Sequence, residues 1–184
     1  MAEGDVANPR IWVDADVYVA DVGTVAPADV DDAWAVGWEP LGLLSDDGMT
    51  ESRDDDETDH FAWGGKLVRT TRSKHKRAFT VTVLEQNPAV WQLVNPGSDA
   101  VSALGITTRT VKVPQSNPKA FGLQWVDGDV IRRRIIPRGE AVPSGDIEIS
   151  DSDMESFELS ITIYPAADGT LYVDITNDPQ AVAA

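Results

Sequence analysis

Alternation of apolar and polar residues with a period of two is the feature of this sequence that most restricts its fold. It is clearest at 156–163 and recurs at 79–84 and 171–176. This spacing puts the apolar side chains of each segment on one face of a β-strand. We therefore predict strands that are buried on one side only. In the clearest strand, the side chains expected in the core are those of Phe157, Leu159, Ile161 and Ile163.

Weaker alternation predicts further strands, with turns between them at sites such as Gly64-Gly65 and Asp168-Gly169. Because many short strands with turn residues between them are typical of sandwiches and barrels, we expect an all-β sandwich or barrel. The weaker strand candidates are 16–22, 58–63, 66–72, 106–113, 119–126, 130–136 and 146–150.

One segment, about 88–95, has the signals of a short α-helix. Asn87 can cap its first turn, Pro88 suits the first helical position, and Pro96-Gly97 ends it. Since two turns of helix are not stable alone in water, the helix must pack on the sheet. The sequence thus predicts one short helix that flanks the β-structure.

A length of 184 residues and a hydrophobic fraction of 42% fit a single domain over 1–184 with its own core. The chain has no cysteine, so its stability cannot depend on disulfides. The acidic start without an apolar stretch predicts no signal peptide, and no apolar run is long enough to predict a membrane span. Three stretches are expected to be irregular: 1–15, the acidic loop 45–59, and a flexible C-terminal tail at 177–184.

Charge is distributed unevenly along the chain, whose net charge is −16. Residues 1–60 have a balance of −15, residues 61–138 of +9 and residues 139–184 of −10. A protein that binds nucleic acid tightly usually carries the opposite sign overall. The segregation indicates either a surface that meets another molecule or charges that folding mixes in space.

No residue pattern predicts catalysis. The acidic run 54–59 lacks the spacing of a calcium loop, and one adjacent histidine does not make a transition-metal site. The two histidines, His60 and His75, accompany no Gly-x-Ser-x-Gly elbow, and there is no phosphate-binding glycine loop. We expect no catalytic residue, no metal and no cofactor.

Two basic stretches are left with two interpretations each. Lys66–Arg77 contains six Lys and Arg residues in twelve, and Arg132–Arg134 is an uninterrupted triplet. No aromatic residue within Lys66–Arg77 could stack on bases, so carboxylates on another protein are the favoured target. The alternative is that these residues form a solvated surface.

Several whole segments resemble the major tail tube proteins of long-tailed, siphovirus-type bacteriophages, most closely those of actinobacteriophages. They cover 12–97 well and the rest of the chain only in strand rhythm. The segments that carry the resemblance are Ala15–Asp21, Trp38–Ser52, Ala62–Gly65, Val68–Arg69, Ala78–Glu85 and the helix with Asn87, Val90, Trp91 and Val94.

The resemblance implies a structural virion protein with no enzymatic activity. Six copies would form a ring, and stacked rings would form the tube that conducts DNA into the host. Its partners would be itself and the tape measure, tail terminator and tail tip proteins, with DNA only in transit and no membrane. It would be found in the host cytoplasm during assembly and then in the virion tail.

In that family a long loop in the first third of the chain reaches the next ring, and 45–59 occupies the matching position. If this loop docked on Lys66–Arg77 of the next ring, salt would weaken assembly. A negatively charged bore would let DNA slide, because it repels phosphates. The inter-ring candidates are Asp46, Asp47, Glu51, Asp54, Asp55, Asp56, Glu57, Lys66, Arg69, Arg72, Lys74, Lys76 and Arg77, and the bore-lining candidates are Ser156, Glu158, Ser160 and Thr162.

Two other functions remain open at this point. A carbohydrate-binding or decoration β-sandwich would expose aromatic residues in a groove, and the chain has six tryptophans. Trp63 and Trp91 are expected in the core, which weighs against that function. A secretion-system tube protein would also assemble as stacked rings.

Overall fold

The computed structural model describes residues 9–147 and 149–179. In this part of the chain the fold is all-β with one short helix, as predicted. The elements are β1 (Asp14–Asp21), β2 (Glu39–Pro40), β3 (Leu44–Ala62), β4 (Lys66–Val83), α1 (Pro88–Val94), β5 (Asp99–Ala103), β6 (Ile106–Thr110), β7 (Lys119–Asp127), β8 (Val130–Pro143), β9 (Phe157–Ile163) and β10 (Val173–Thr176).

One antiparallel sheet contains all strands except β5 and β6, in the order β2-β1-β7-β8-β9-β4-β3, with β10 beside β8. The long strand β8 connects its two halves. One edge of β8 pairs with β7, while its other edge pairs first with β10 and then, from Gly139 to Pro143, with β9. Strands β5 and β6 form a separate two-stranded hairpin.

The main core contains the apolar face of β9, as the alternation predicts. Phe157, Leu159, Ile161 and Ile163 are each at most 4% exposed. They pack with apolar residues of β1, β4, β7 and β8. Val90 and Leu93 of α1 join the same core, so the helix does pack on the sheet.

Helix α1 begins as the sequence predicts. The Asn87 side-chain oxygen accepts a hydrogen bond from the Val90 N–H at 2.9 Å, and Pro88 occupies the first turn. This cap satisfies a backbone N–H that has no partner within the helix.

A second, smaller core lies on the opposite face of β1 and β7. The segment 22–38 covers this face with Trp34 and Trp38. A Cβ atom on Gly122 of β7 would lie 2.3 Å from the Trp34 ring, so only glycine lets the indole pack this closely. Both faces of this part of the sheet are therefore buried.

The acidic segment 45–59, expected as an irregular loop, instead belongs to strand β3 and pairs with β4. The expectation rested on self-repulsion among carboxylates, but the cations of β4 lie directly opposite them. Strand β5 was not expected. The predicted strand at 146–150 is absent from 146, 147, 149 and 150, and Glu148 lies outside the described residues.

The beginning of the expected flexible tail is attached to the sheet. The Asn177 side chain accepts a hydrogen bond from the Ile131 N–H at 2.7 Å and donates one to the Asp129 carbonyl at 2.9 Å. Asp178 forms an ion pair with Arg10 at 2.9 Å. Residues 180–184 lie outside the described residues.

Candidate assembly interface

The hairpin of β3 and β4 projects beyond the core as a two-stranded ribbon, residues 52–76, which we call the arm. Every side chain in the arm except half-buried Thr71 is exposed. Pairing of β4 with its other neighbour, β9, begins only at Arg77, so the arm has no third strand. Ten residues of strand span about 33 Å, which gives the arm the reach to contact another subunit.

Oppositely charged residues face each other across the arm. Arg72 Nε lies 2.6 Å from Glu57 Oε1, and Lys74 Nζ lies 2.7 Å from Asp56 Oδ2. His75 Nδ1 contacts Asp55 Oδ1 at 2.5 Å. Each such exposed pair contributes only about 0–1 kcal/mol. Five of the side chains that were expected to seek partners on another ring thus have a partner within the hairpin.

All thirteen inter-ring candidates lie in β3 or β4, so the structure brings the acidic and basic groups together in one hairpin. Asp46 and Asp47 lie before the arm, and Glu51 and Arg77 lie at its base, where they are joined at 3.2 Å. That any of these residues contacts a neighbouring ring stays a prediction.

The tip of the arm exposes four large apolar side chains around Lys66. Gly64 and Gly65 form the turn with positive φ angles of 95° and 80°, which glycine adopts without strain. Trp63, expected in the core, is instead fully exposed beside them. Sequence reasoning missed this cluster because an indole next to a strand normally indicates burial. The tip cluster consists of Phe61, Trp63, Leu67 and Val68.

The bore-lining candidates lie on the side of β9 that faces away from the core. Ser160 is paired with Thr80 of β4, and Thr162 with Ala78. Glu158 is exposed and accepts a hydrogen bond from the Ser144 hydroxyl at 2.5 Å, while Ser156 immediately precedes the strand. This small, polar face continues across β4 and onto β3 at Thr50 and Ser52.

The arginine triplet is built into the fold. Arg134, 6% exposed, binds both carboxylate oxygens of Asp174 at 2.6 Å and Glu51 Oε2 at 2.9 Å. Its guanidinium lies over the Tyr172 ring at 3.9 Å. Arg134 therefore ties β10 and β3 to β8, and its carboxylate partners belong to the same chain.

Arg133 fastens the segment 22–38 to the sheet. Its guanidinium donates hydrogen bonds of 2.7 Å to the carbonyls of Asp29 and Asp32, and it lies 5.3 Å from the Trp34 ring. Arg132 pairs with Asp174 at 3.1 Å. The sequence left two interpretations of the triplet, a solvated surface or a surface that binds a partner. Neither applies to Arg133 and Arg134, because both are buried.

The contact between Glu51 and Arg134 predicts a specific pH dependence. Burial alone would raise the pKa of Glu51, but the hydrogen bond and charge of Arg134, with Arg53, lower it below its usual value near 4.5. The stability from this contact is complete above that value and is lost as the pH falls through the lowered pKa. In urea titrations at about pH 3 to 6, the gap in unfolding free energy between wild type and E51Q should narrow toward low pH. A constant gap would contradict this assignment.

Two negative observations apply to residues 9–147 and 149–179. No group of three or more His, Asp or Glu side chains is placed to hold a metal ion. The single helix is too short to cross a bilayer.

Comparison of the sequence with known families places this chain in a class of self-assembling structural proteins. Residues 10–184 match the family described as phage tail tube protein. No curated protein matches the chain. The chain belongs to the phage tail tube protein family, and it is thus a structural protein of the virion tail that assembles with copies of itself.

Proposed function

We propose that six copies of the chain form a ring and that stacked rings form the tube through which DNA is ejected into the host. The observation that carries the proposal is the arm. It is a long, ordered, two-stranded projection with an apolar tip, and the residues described offer nothing within the chain to cover that tip. A contact that joins different surfaces of identical subunits generates rings or filaments.

The terminal strands of the main sheet support ring formation. Strand β3 has 19 residues and pairs only with β4, while β2 at the opposite end has two residues. Long free edges invite uncontrolled pairing, and joining them between subunits removes the hazard. In the proposed ring, the sheets of neighbouring subunits continue one another.

The arm is the proposed stacking element. It includes most of 45–59, the position at which the resemblance expects a loop that reaches the next ring. Because Arg72 and Lys74 already have carboxylate partners within the hairpin, we assign the contact with the next ring chiefly to the tip cluster.

The small polar face of β9 and β4 is the proposed bore lining, with Ser156, Glu158, Ser160 and Thr162 among its residues. Short hydroxyl side chains make a smooth wall, and the net charge of −16 repels DNA phosphates. DNA would then slide through the tube without binding specifically.

The proposal extends to the setting implied by the resemblance. The phage is of the siphovirus type with an actinobacterial host, and assembly takes place in the host cytoplasm. The tape measure, tail terminator and tail tip proteins contact the finished tube.

Negative-stain microscopy of the purified protein tests the proposal. We expect rings or tubes whose end-on views average to sixfold symmetry. Protein that remains monomeric at every concentration tested, or that forms closed oligomers unable to stack, would contradict it.

The charged arm residues could either stabilise the hairpin or contact the next ring. A charge-swap series separates these two roles. R72E/K74E places like charges opposite Glu57 and Asp56, so we expect a distorted arm and little tube growth. Adding D56K and E57R restores opposite charges across the hairpin. We expect this fourfold variant to form tubes again, as judged by light scattering and microscopy. A folded fourfold variant without tubes would instead assign these side chains to the next ring.

A further inference from the structure

The hairpin of β5 and β6 has its apolar face turned toward solvent. Every residue from 99 to 116 is exposed. In the register of the two strands, Val101 pairs with Thr108 and Ala103 with Ile106, so these four residues share one face. Val101 is 63% and Ile106 is 70% exposed.

The opposite face of this hairpin is polar, and one of its residues, Arg109, reaches the body of the protein. Ser102 and Thr107 share a hydrogen bond of 2.8 Å there. Arg109 is hydrogen-bonded to Gln86, and its guanidinium lies 4.5 Å from the Trp91 ring. The contact with the body is therefore made from the polar face, while the apolar face is exposed to solvent.

The turn of the hairpin carries a second unusual feature. Leu104 has a positive φ of 53° and is fully exposed. A leucine is disfavoured in this conformation, and an apolar side chain gains nothing from water. An isolated two-stranded hairpin is also only marginally stable. Both observations indicate a surface that is shaped to be covered.

Charge makes this surface suited to a second copy of the same chain. The stretch 99–116 contains one acidic residue and two basic residues, in a chain with a net charge of −16. Asp99 and Lys112 are already paired at 2.5 Å. Acidic copies repel one another least where a patch is neutral or slightly basic. Val111 and Val113, which follow β6, are exposed as well.

We propose that the apolar face of the β5–β6 hairpin, with Leu104 at its turn, packs against a neighbouring copy of this chain in the assembled tube. The inference rests on the proposed function, which it deepens by naming a second copy-to-copy contact besides the arm. The patch brings Val101, Leu104 and Ile106 out of water when the neighbour covers it.

Substitution of the apolar face tests the contact. V101T/I106T keeps β-branched residues on an exposed hairpin, so the subunit should keep the melting temperature of wild type. The lowest concentration at which tubes form should rise about tenfold or more, because two apolar side chains leave the contact. The matched control A100T/S102T alters the opposite face and should assemble like wild type.

A cross-link identifies what covers the patch. The chain has no cysteine, so T108C gives a single site for a photoactivatable cross-linker. The labelled T108C protein is mixed with concentrated wild-type protein and cross-linked. Mass spectrometry should then find peptides that join position 108 to a second copy. Cross-links confined to its own chain would overturn the inference, as would tubes of V101T/I106T that form at the wild-type concentration.

The same experiments distinguish this inference from the proposed function. Copy-to-copy cross-links in oligomers that never become tubes would support the hairpin contact and contradict the proposed function in tube formation. Tubes that form without such cross-links would support the proposed function and overturn the contact.

Discussion

Ile161→Asp protein is expected not to fold. Ile161 is completely buried, and its backbone partners in the register are Phe79 of β4 and Ala141 of β8. An unpaired carboxylate in this position costs several kcal/mol, which is comparable with the whole stability of a domain, about 5–15 kcal/mol. We expect the variant in the insoluble fraction, with no native circular dichroism spectrum.

Ser160→Asp is the matched control, because it introduces the same side chain one residue earlier on the opposite face of β9. Ser160 is half-buried between Thr80 of β4 and the exposed Val142 of β8, so its variant should be soluble and keep the native spectrum. Recovery of soluble Ile161→Asp protein with that spectrum would contradict the register of β9.

The parts of the fold that the sequence predicts are those in which local pattern and tertiary packing agree. The alternation at 156–163 identifies the buried face of β9 because side chains of a strand point alternately to its two sides. The helix at 88–94 is predictable because its cap and first-turn proline act locally. Both features can be read without knowing what lies across the sheet.

The arm could not be predicted in the same way because its order depends on a partner strand. Residues 54–59 alone resemble a disordered acidic loop, and only pairing with β4 places Arg72 and Lys74 beside them. Charge blocks in the sequence do not reveal whether the complementary block lies in the same chain or in another one. In this protein it lies in the same chain.

The arginine triplet shows a second limit. Arg133 and Arg134 are both 6% exposed, although arginine is rarely buried. Their burial is possible because Asp174, Glu51 and two backbone carbonyls supply acceptors from distant parts of the chain. Nothing within Arg132–Arg134 identifies those partners. The same is true of Trp63, whose exposure follows from the length of the arm.

Phe61→Ser/Trp63→Ser protein is expected to fold normally but not to form tubes. Both side chains are exposed in the subunit, at 61% for Phe61 and fully for Trp63, so removing them takes nothing from the core. If the tip cluster packs on the next ring, each aromatic contributes about 1.5–3 kcal/mol to that contact. The lowest concentration that supports tube growth should rise more than about 100-fold. The control T58S/S73T alters two polar residues of the arm and should assemble like wild type.

The dependence of wild-type assembly on salt gives an independent reading of the same contact. Raising salt from 0.1 M to 1 M shortens the screening length from about 10 Å to about 3 Å. Repulsion between subunits of charge −16 then weakens, while an apolar contact at the tip is retained. Light scattering should therefore show more complete assembly at high salt. If the acidic strand of one ring docked on the basic strand of the next, assembly would instead be less complete at high salt, because salt would screen the attraction between the strands. Two results together would contradict the assignment to the tip cluster: tubes that dissolve at high salt, and normal tube growth of Phe61→Ser/Trp63→Ser protein. The contact with the next ring would then be assigned to the charged residues of the arm.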